Sequence, residues 1–267
     1  MTDASLVVTD LHVEFSGFVA VGGVSFDAHP GEVRFLIGPN GAGKTTCIDA
    51  ITGLAKATGS ARLGERELLG RQVHKIVRLG VGRTFQTASV FDELTVLQNL
   101  DIAAGRHRPW TSLLRARRGV DASIEQALEE TGLAGELATP AGILSHGQKQ
   151  WLEIAMLLVQ DAKVLLLDEP VAGMSQDERT ATGELLQRIA AKRIVLVVEH
   201  DMDFMRRFAT RVTVLHQGKV LSQGTVAEVQ ADPKVQEVYL GTTGAATTAA
   251  MSVVLEPAAG TQKPKED

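Results

Sequence analysis

Short, almost wholly apolar runs recur at Val33 to Ile37, Val164 to Leu167 and Ile194 to Val198, each followed at once by glycine or charged residues. Runs of this length, bounded so abruptly, read as buried strands. Leu6 to Phe15 alternates loosely instead, and Val24 to Phe26 is β-like, so the N-terminal part predicts a small β-sheet that turns at Pro30-Gly31 into the first buried strand. Helical spacing appears between the strands. Thr45 to Ile51 continues as a helix, and Val73 to Leu79 predicts a short basic one. Thr95-x-x-Gln98 and Ser123-x-x-Gln126 have the form of capping boxes opening two further helices, with Gly132 as a stop for the second. The longest helical pattern opens at Leu144-Ser145-His146-Gly147-Gln148, with Ser145 as cap and Trp151, Ile154, Ala155 and Leu158 recurring on one face. Val212 to Leu215 and Lys219 to Leu221 flank Gln217-Gly218 as a hairpin, and Thr225-x-x-Glu228 caps a short helix. From about Gly241 the chain is mostly Ala, Thr, Gly and Pro, a composition that predicts a disordered tail.

Composition narrows the function classes. The chain has 267 residues, 44% of them hydrophobic, enough for one compact unit with subdomains. A net charge of -5 and a pI near 5.8 argue against a dedicated nucleic-acid binder, which shows a basic face. The single cysteine, Cys47, excludes internal disulfides, fits a reducing compartment, and reads as a small buried residue. No apolar run approaches the ~20 residues that span a bilayer. Arg106 to Gly119 carries five arginines around Trp110, Leu113 and Leu114. This stretch reads as an exposed loop or partner-facing surface ahead of a membrane-surface helix.

The candidate chemistry sits where the strands run out. Gly38-Pro39-Asn40-Gly41-Ala42-Gly43-Lys44-Thr45 fits the phosphate-loop pattern G-x-x-x-x-G-K-[ST] and has the strand before it and the helix after it that the mechanism needs. The glycines let backbone N–H groups point inward at phosphate oxygens, and the helix adds the positive end of its dipole. Lys44 supplies fixed charge for the β- and γ-phosphates, and the Thr45 hydroxyl is placed to ligate Mg²⁺. Val164 to Leu167 ends in Asp168-Glu169-Pro170. Adjacent carboxylates at the carboxyl end of a buried strand are costly unless they meet a cation or a reacting group, and Asp168 suits Mg²⁺ while Glu169 suits a base. Ile194 to Val198 repeats the design and runs into Glu199-His200-Asp201, which makes His200 a candidate γ-phosphate contact. Three residues stay open at this level. Phe15 could stack on adenine or fill the core, Gln86 could reach a metal or attacking water or stay solvated, and Ser145 beside Gly147 is either a helix cap or an anion site.

Taken together, the phosphate loop, Gln86, Leu144 to Gln148, Val164 to Glu169 and His200 resemble, in order and spacing, an ABC transporter ATPase subunit over roughly residues 5 to 240. The resemblance implies an α/β fold: a P-loop NTPase (RecA-like) core, an antiparallel β subdomain, and a helical signature subdomain at about 92–160, followed by the tail from 241. It implies ATP and Mg²⁺ as ligands, with Phe15 on adenine, Gly38 to Thr46 on the phosphates (Thr46 included), Thr45, Gln86 and Asp168 at the metal, Glu169 as general base and His200 at the γ-phosphate. Ser145, Gly147 and Gln148 would complete the site of a facing ATPase subunit, whether a copy or a relative. The further partners implied are transmembrane permease subunits and, indirectly, a periplasmic or extracellular solute-binding protein. The implied location is peripheral, on the cytoplasmic face of the plasma (inner) membrane. Two departures stand out. The family's usual signature has Gly where this chain has His146, and the Asp usual after the catalytic Glu is replaced by Ser175.

Val81 to Thr87 and Glu169 to Met174 are similar to the subfamily that serves branched-chain amino acid and urea importers, and Leu144 to Leu152 is most similar to the ATPases of urea importers. The expectation is therefore import of urea, with branched-chain amino acids as the alternative. A lipid or polysaccharide exporter and a soluble non-transport ABC protein stand further off. The last of these is disfavoured by the absence of a second cassette or of sustained heptads.

Overall fold

The computed structural model describes residues 5–85, 89–105 and 120–241. Its centre is a six-stranded sheet built from β3 (Val33–Ile37), β6 (Val81–Arg83), β7 (Val164–Asp168), β8 (Ile194–Val198), β9 (Arg211–His216) and β10 (Lys219–Gly224). The spatial order is β10-β9-β3-β8-β7-β6, parallel throughout except that β10 returns antiparallel beside β9. Every residue of β3, β7 and β8 is buried, which is why these strands read as near-continuous apolar runs.

Alternate side chains of each central strand enter separate cores. Phe35, Leu165, Leu167, Val195 and Val197 face a cluster shared with the helices, whereas Leu36, Val164, Leu166, Leu196 and Val198 face a second cluster. The first face is covered by α3 (Val96–Ala104), α4 (Ala122–Thr131), α5 (His146–Val159), α6 (Gln176–Ala190) and α7 (Met202–Phe208). On the second face lie α1 (Lys44–Ile51) and an antiparallel sheet in the order β2-β1-β4-β5, formed by β1 (Leu6–Phe15), β2 (Phe18–Ala28), β4 (Thr58–Leu63) and β5 (Arg66–Glu67). The α/β class, the antiparallel sheet and the helical part expected from the sequence are all present. Arg34 is the one charge inside β3, and it is tolerated because its Nη1 donates to Thr213 Oγ1 at 3.0 Å and its Nε to Glu32 Oε1 at 3.3 Å.

The helix boundaries follow the capping chemistry, with one correction. Thr95, Ser145 and Thr225 all complete capping boxes, and Gly132 ends α4 in the left-handed conformation. The Ser123-x-x-Gln126 box does not form. Asp121 caps α4 instead, accepting from the Ser123 N–H, because a carboxylate two residues upstream reaches the free amides first. Two further helices, α8 (Val226–Ala231) and α9 (Pro233–Gly241), follow β10, and α2 (Val73–Arg78) precedes β6. The arginine-rich stretch at 106–119 and the tail beyond 241 lie outside the described residues.

Candidate functional site

The order of the central strands decides where the chemistry can occur. From β3 the chain crosses to the far edge at β6, then steps back through β7 and β8 and passes β3 to β9, so the connections leaving β3 and its neighbour β8 run in opposite directions across the sheet. Ligands of open α/β sheets bind outside the carboxyl ends of the strands at such a point. Here those ends carry the phosphate loop after β3, Asp168 and Glu169 after β7, and Glu199 and His200 after β8.

Gly38 begins the loop at a position no other residue can hold, since a Cβ there would lie 2.2 Å from the carbonyl oxygen of Leu215. The loop is braced internally by the Ala42 N–H donating to Pro39 O at 3.1 Å, and from outside by the Gly218 N–H donating to Ala42 O at 3.1 Å. It then feeds α1, where Cys47 N–H donates to Gly43 O. Cys47 is fully buried, and burial pushes its thiol up to about 12, so it is a packing residue. Lys44 bends across the loop, its Nζ donating to Gly38 O at 2.8 Å and Pro39 O at 3.1 Å. Burial lowers its pKa, while the nearby Glu169 and Asp168 carboxylates act in the opposite sense. Asn40, Gly41, Ala42, Gly43, Lys44, Thr45, Thr46 and Glu169 together line a cavity of about 290 Å³. The loop and the strand-end glutamate thus share one cleft.

Asp168 is buried beneath this cleft. Its Oδ2 is held by Arg83 Nη2 at 3.3 Å, and its Oδ1 is buried with no hydrogen-bond partner. Burial raises its pKa, and the Arg83 guanidinium works against that rise. Arg83 also grips Asp49 of α1 through Nη1, so one guanidinium ties the helix after the phosphate loop to the end of β7. Glu169 takes a left-handed backbone conformation, φ 50°, fixed by its N–H donating to Val198 O at 2.8 Å. That turn brings its carboxylate into the cleft, where Oε1 lies 3.3 Å from His200 Nδ1. Glu199, fully buried, accepts from the N–H groups of Val171, His200 and Asp201 and so pins the loop after Glu169 to the end of β8. Burial raises its pKa.

Ser145, Gly147 and Gln148 form a second locus at the start of α5. Ser145 Oγ accepts from the Gln148 N–H at 3.1 Å while Gln148 Oε1 accepts from the Ser145 N–H at 2.9 Å. His146 is exposed, so the departure at that position costs no packing. Ser175 is the N-cap of α6, a position that Ser fills as well as Asp does. Phe15 stands at the end of β1 opposite Phe18, and both rings are exposed, at 50% and 69%. Phe15 is therefore available for stacking and is not a core residue. Gln86 lies outside the described residues, although Phe85 and Ser89 on either side of it are bonded to Glu153 of α5, whose carboxyl burial pushes up to about 7.

Arg83, Glu178 and Glu199 are the residues that reading the sequence passed over. A charged side chain ending the strand Val81–Arg83 repeats the signal that marked Asp168, and Ser175-x-x-Glu178 is a legible capping box. Glu199 stands at a strand end like Asp168, but only burial separates it from Asp201 two residues on.

A phosphate loop, an acidic strand end and a histidine strand end meeting in one cleft define a nucleotide-hydrolysing cassette. The chain belongs to the ABC transporter family, whose model matches residues 21–172, and it is an ATPase of that class. A second model, described as the branched-chain amino acid ATP-binding cassette transporter, matches residues 219–245. Among its relatives, the high-affinity branched-chain amino acid transport ATP-binding protein BraF of Pseudomonas aeruginosa is 36% identical, over 90% of this chain and 99% of BraF. LivG of Escherichia coli, with the same description, is 35% identical over the same shares. An ATP-binding cassette of an ABC transporter solved in its ADP conformation superposes with a TM-score of 0.77 at 29% identity, covering 90% of this chain and all of that one.

Proposed function

We propose that the chain is the ATP-hydrolysing subunit of an importer for branched-chain amino acids. For the chemistry, the supporting observation is the convergence of Lys44, Asp168, Glu169 and His200 on one cleft. Lys44 neutralises the β- and γ-phosphates, Glu169 takes the proton of the attacking water, and His200 orients Glu169 and contacts the γ-phosphate. Phe15 stacks on the adenine, and Gln86 attends the water and the metal. Mg²⁺ fits the residues present: Asp168 Oδ1 is buried and unpartnered, and the exposed Thr45 hydroxyl lines the same cleft. With Gln86 they would hold the ion, and it would offset charge that develops on the phosphates. Ser145, Gly147 and Gln148 complete the nucleotide site of a facing ATPase subunit.

The cassette spans about residues 5–240 with its helical subdomain at about 92–160. It works on transmembrane permease subunits at the cytoplasmic face of the membrane, fed by a solute-binding protein on the other side. Among the described residues, no helix is long and apolar enough to cross a membrane. The resemblance of Leu144 to Leu152 pointed to urea. The relatives BraF and LivG, aligned over 90% of this chain, and the family segment at residues 219–245 support branched-chain amino acids better than the nine residues Leu144 to Leu152 support urea.

Deleting this subunit in its host is expected to cut high-affinity leucine uptake while urea uptake continues. Radiolabelled uptake at micromolar solute checks it, and the reverse pattern would return the assignment to urea without disturbing the mechanism.

A further inference from the structure

Glu178, near the start of α6, bonds to the N-cap residues of two helices, Ser145 of α5 and Ser175 of α6. Its Oε1 accepts from the Ser145 hydroxyl at 2.9 Å. Its Oε2 accepts from the Ser175 hydroxyl and the Ser175 N–H, each at 2.9 Å. A Cβ built on Gly147 would stand 2.7 Å from Oε1, so the carboxylate lies directly against the N-terminal turn of α5, where Gly147 also donates to it. The bonds from Ser175 and Ser145 hold its carboxyl below the usual carboxylate range, which keeps it ionised.

An anion therefore already sits at the N-terminus of α5, on the residues that would meet the facing subunit's ATP. A serine hydroxyl has one proton to give, and a backbone N–H has one. Neither can serve a carboxylate and a phosphate together, and the two anions repel at such range. We propose that Glu178 is a resident stand-in for the phosphate: it keeps Ser145 and the α5 N-terminus engaged until ATP on the facing subunit displaces it, and so sets the ATP concentration at which two cassettes close. This rests on the reading that Ser145 and Gly147 complete the facing site. Oε2 is held on α6 by two bonds from Ser175 that do not depend on the bond between Oε1 and Ser145. These bonds also give the Ser175 departure a role, since the serine's hydroxyl and N–H both anchor this carboxylate.

The test compares Glu178→Gln with the unsubstituted chain in the assembled transporter. Gln keeps the capping box with Ser175, so the fold of α6 is preserved while the negative charge is removed. The expected result is a half-saturating ATP concentration lowered about threefold to tenfold with turnover at saturation not reduced, the size of one hydrogen bond no longer competed for. ATP-driven pairing of cassettes, followed by sedimentation in a Glu169→Gln background, should shift by the same factor. Unchanged or weakened ATP dependence in both measurements overturns the proposal. Ser145→Arg, run beside it, separates the two ways of failing. If Ser145→Arg blocks hydrolysis while Glu178→Gln changes nothing, the shared site stands and the stand-in role falls. If Ser145→Arg leaves hydrolysis intact, the shared-site reading is wrong and the stand-in role falls with it.

Discussion

Glu169→Gln is expected to lower ATP turnover by ~10²–10⁴ while leaving ATP binding intact, the usual cost of losing a general base. The substitution keeps the side chain's size and its place in the cleft, which the Glu169 N–H to Val198 O bond and the left-handed turn determine from the backbone. What changes is the capacity to accept a proton. Removing a carboxylate that shares the cleft with Lys44 also relieves repulsion of the γ-phosphate, so ATP should be held at least as tightly and the closed, two-cassette state should last longer. Asp168→Asn is the control. Its buried, unpartnered Oδ1 is the oxygen that suits the metal, so this variant should impair Mg-dependent binding as well as turnover. Binding and hydrolysis of both variants are measured with the partner subunits present. A Glu169→Gln protein that lost ATP affinity yet cleaved bound ATP at the ordinary rate would mean that the base is another group.

Lys44→Ala should abolish measurable ATPase activity and weaken ATP binding, and the chain should still fold. The Lys44 ammonium is the cation inside the loop, buried and held by the Gly38 and Pro39 carbonyls. Without it the β- and γ-phosphates lose their fixed positive charge in a partly desolvated site, where such stabilisation is strong. The fold should survive because the loop's shape rests on the Ala42–Pro39 and Gly218–Ala42 backbone bonds and on the glycine at 38, none of which needs the lysine side chain. Thermal unfolding together with a steady-state ATPase assay separates the two effects. Hydrolysis at the unsubstituted rate by a folded Lys44→Ala protein would remove the phosphate-loop assignment.

Much of the site was legible because its residues sit at strand ends. An apolar run that stops at Lys44's loop, at Asp168-Glu169 or at Glu199-His200 announces a strand, its end and its chemistry in the same few letters. The caps were legible for a related reason: Ser145 with Gln148, and Thr225 with Glu228, are local bonds three residues apart. The miss at Ser123 shows the limit of that logic, since Asp121 takes the Ser123 N–H and starts the helix two residues earlier, which leaves Ser123 inside it. The solute is less legible for a different reason: urea rests on the nine residues Leu144 to Leu152, and the relatives over 90% of the chain favour the branched-chain alternative instead.

The sequence by itself determined the kind of fold and the chemical class, since both rest on short-range patterns: buried strands, a loop of glycines with one lysine, and carboxylates at a strand end. Tertiary structure alone decided which charges meet. Arg83 lies 85 residues from Asp168 in the chain and 34 from Asp49, yet one guanidinium grips both. Ser145 and Glu178, 33 residues apart, share a hydrogen bond because α5 and α6 begin side by side against the same face of the sheet. Such pairs join elements brought together by burial of apolar faces, a non-directional force that leaves no mark on the polar residues it happens to juxtapose.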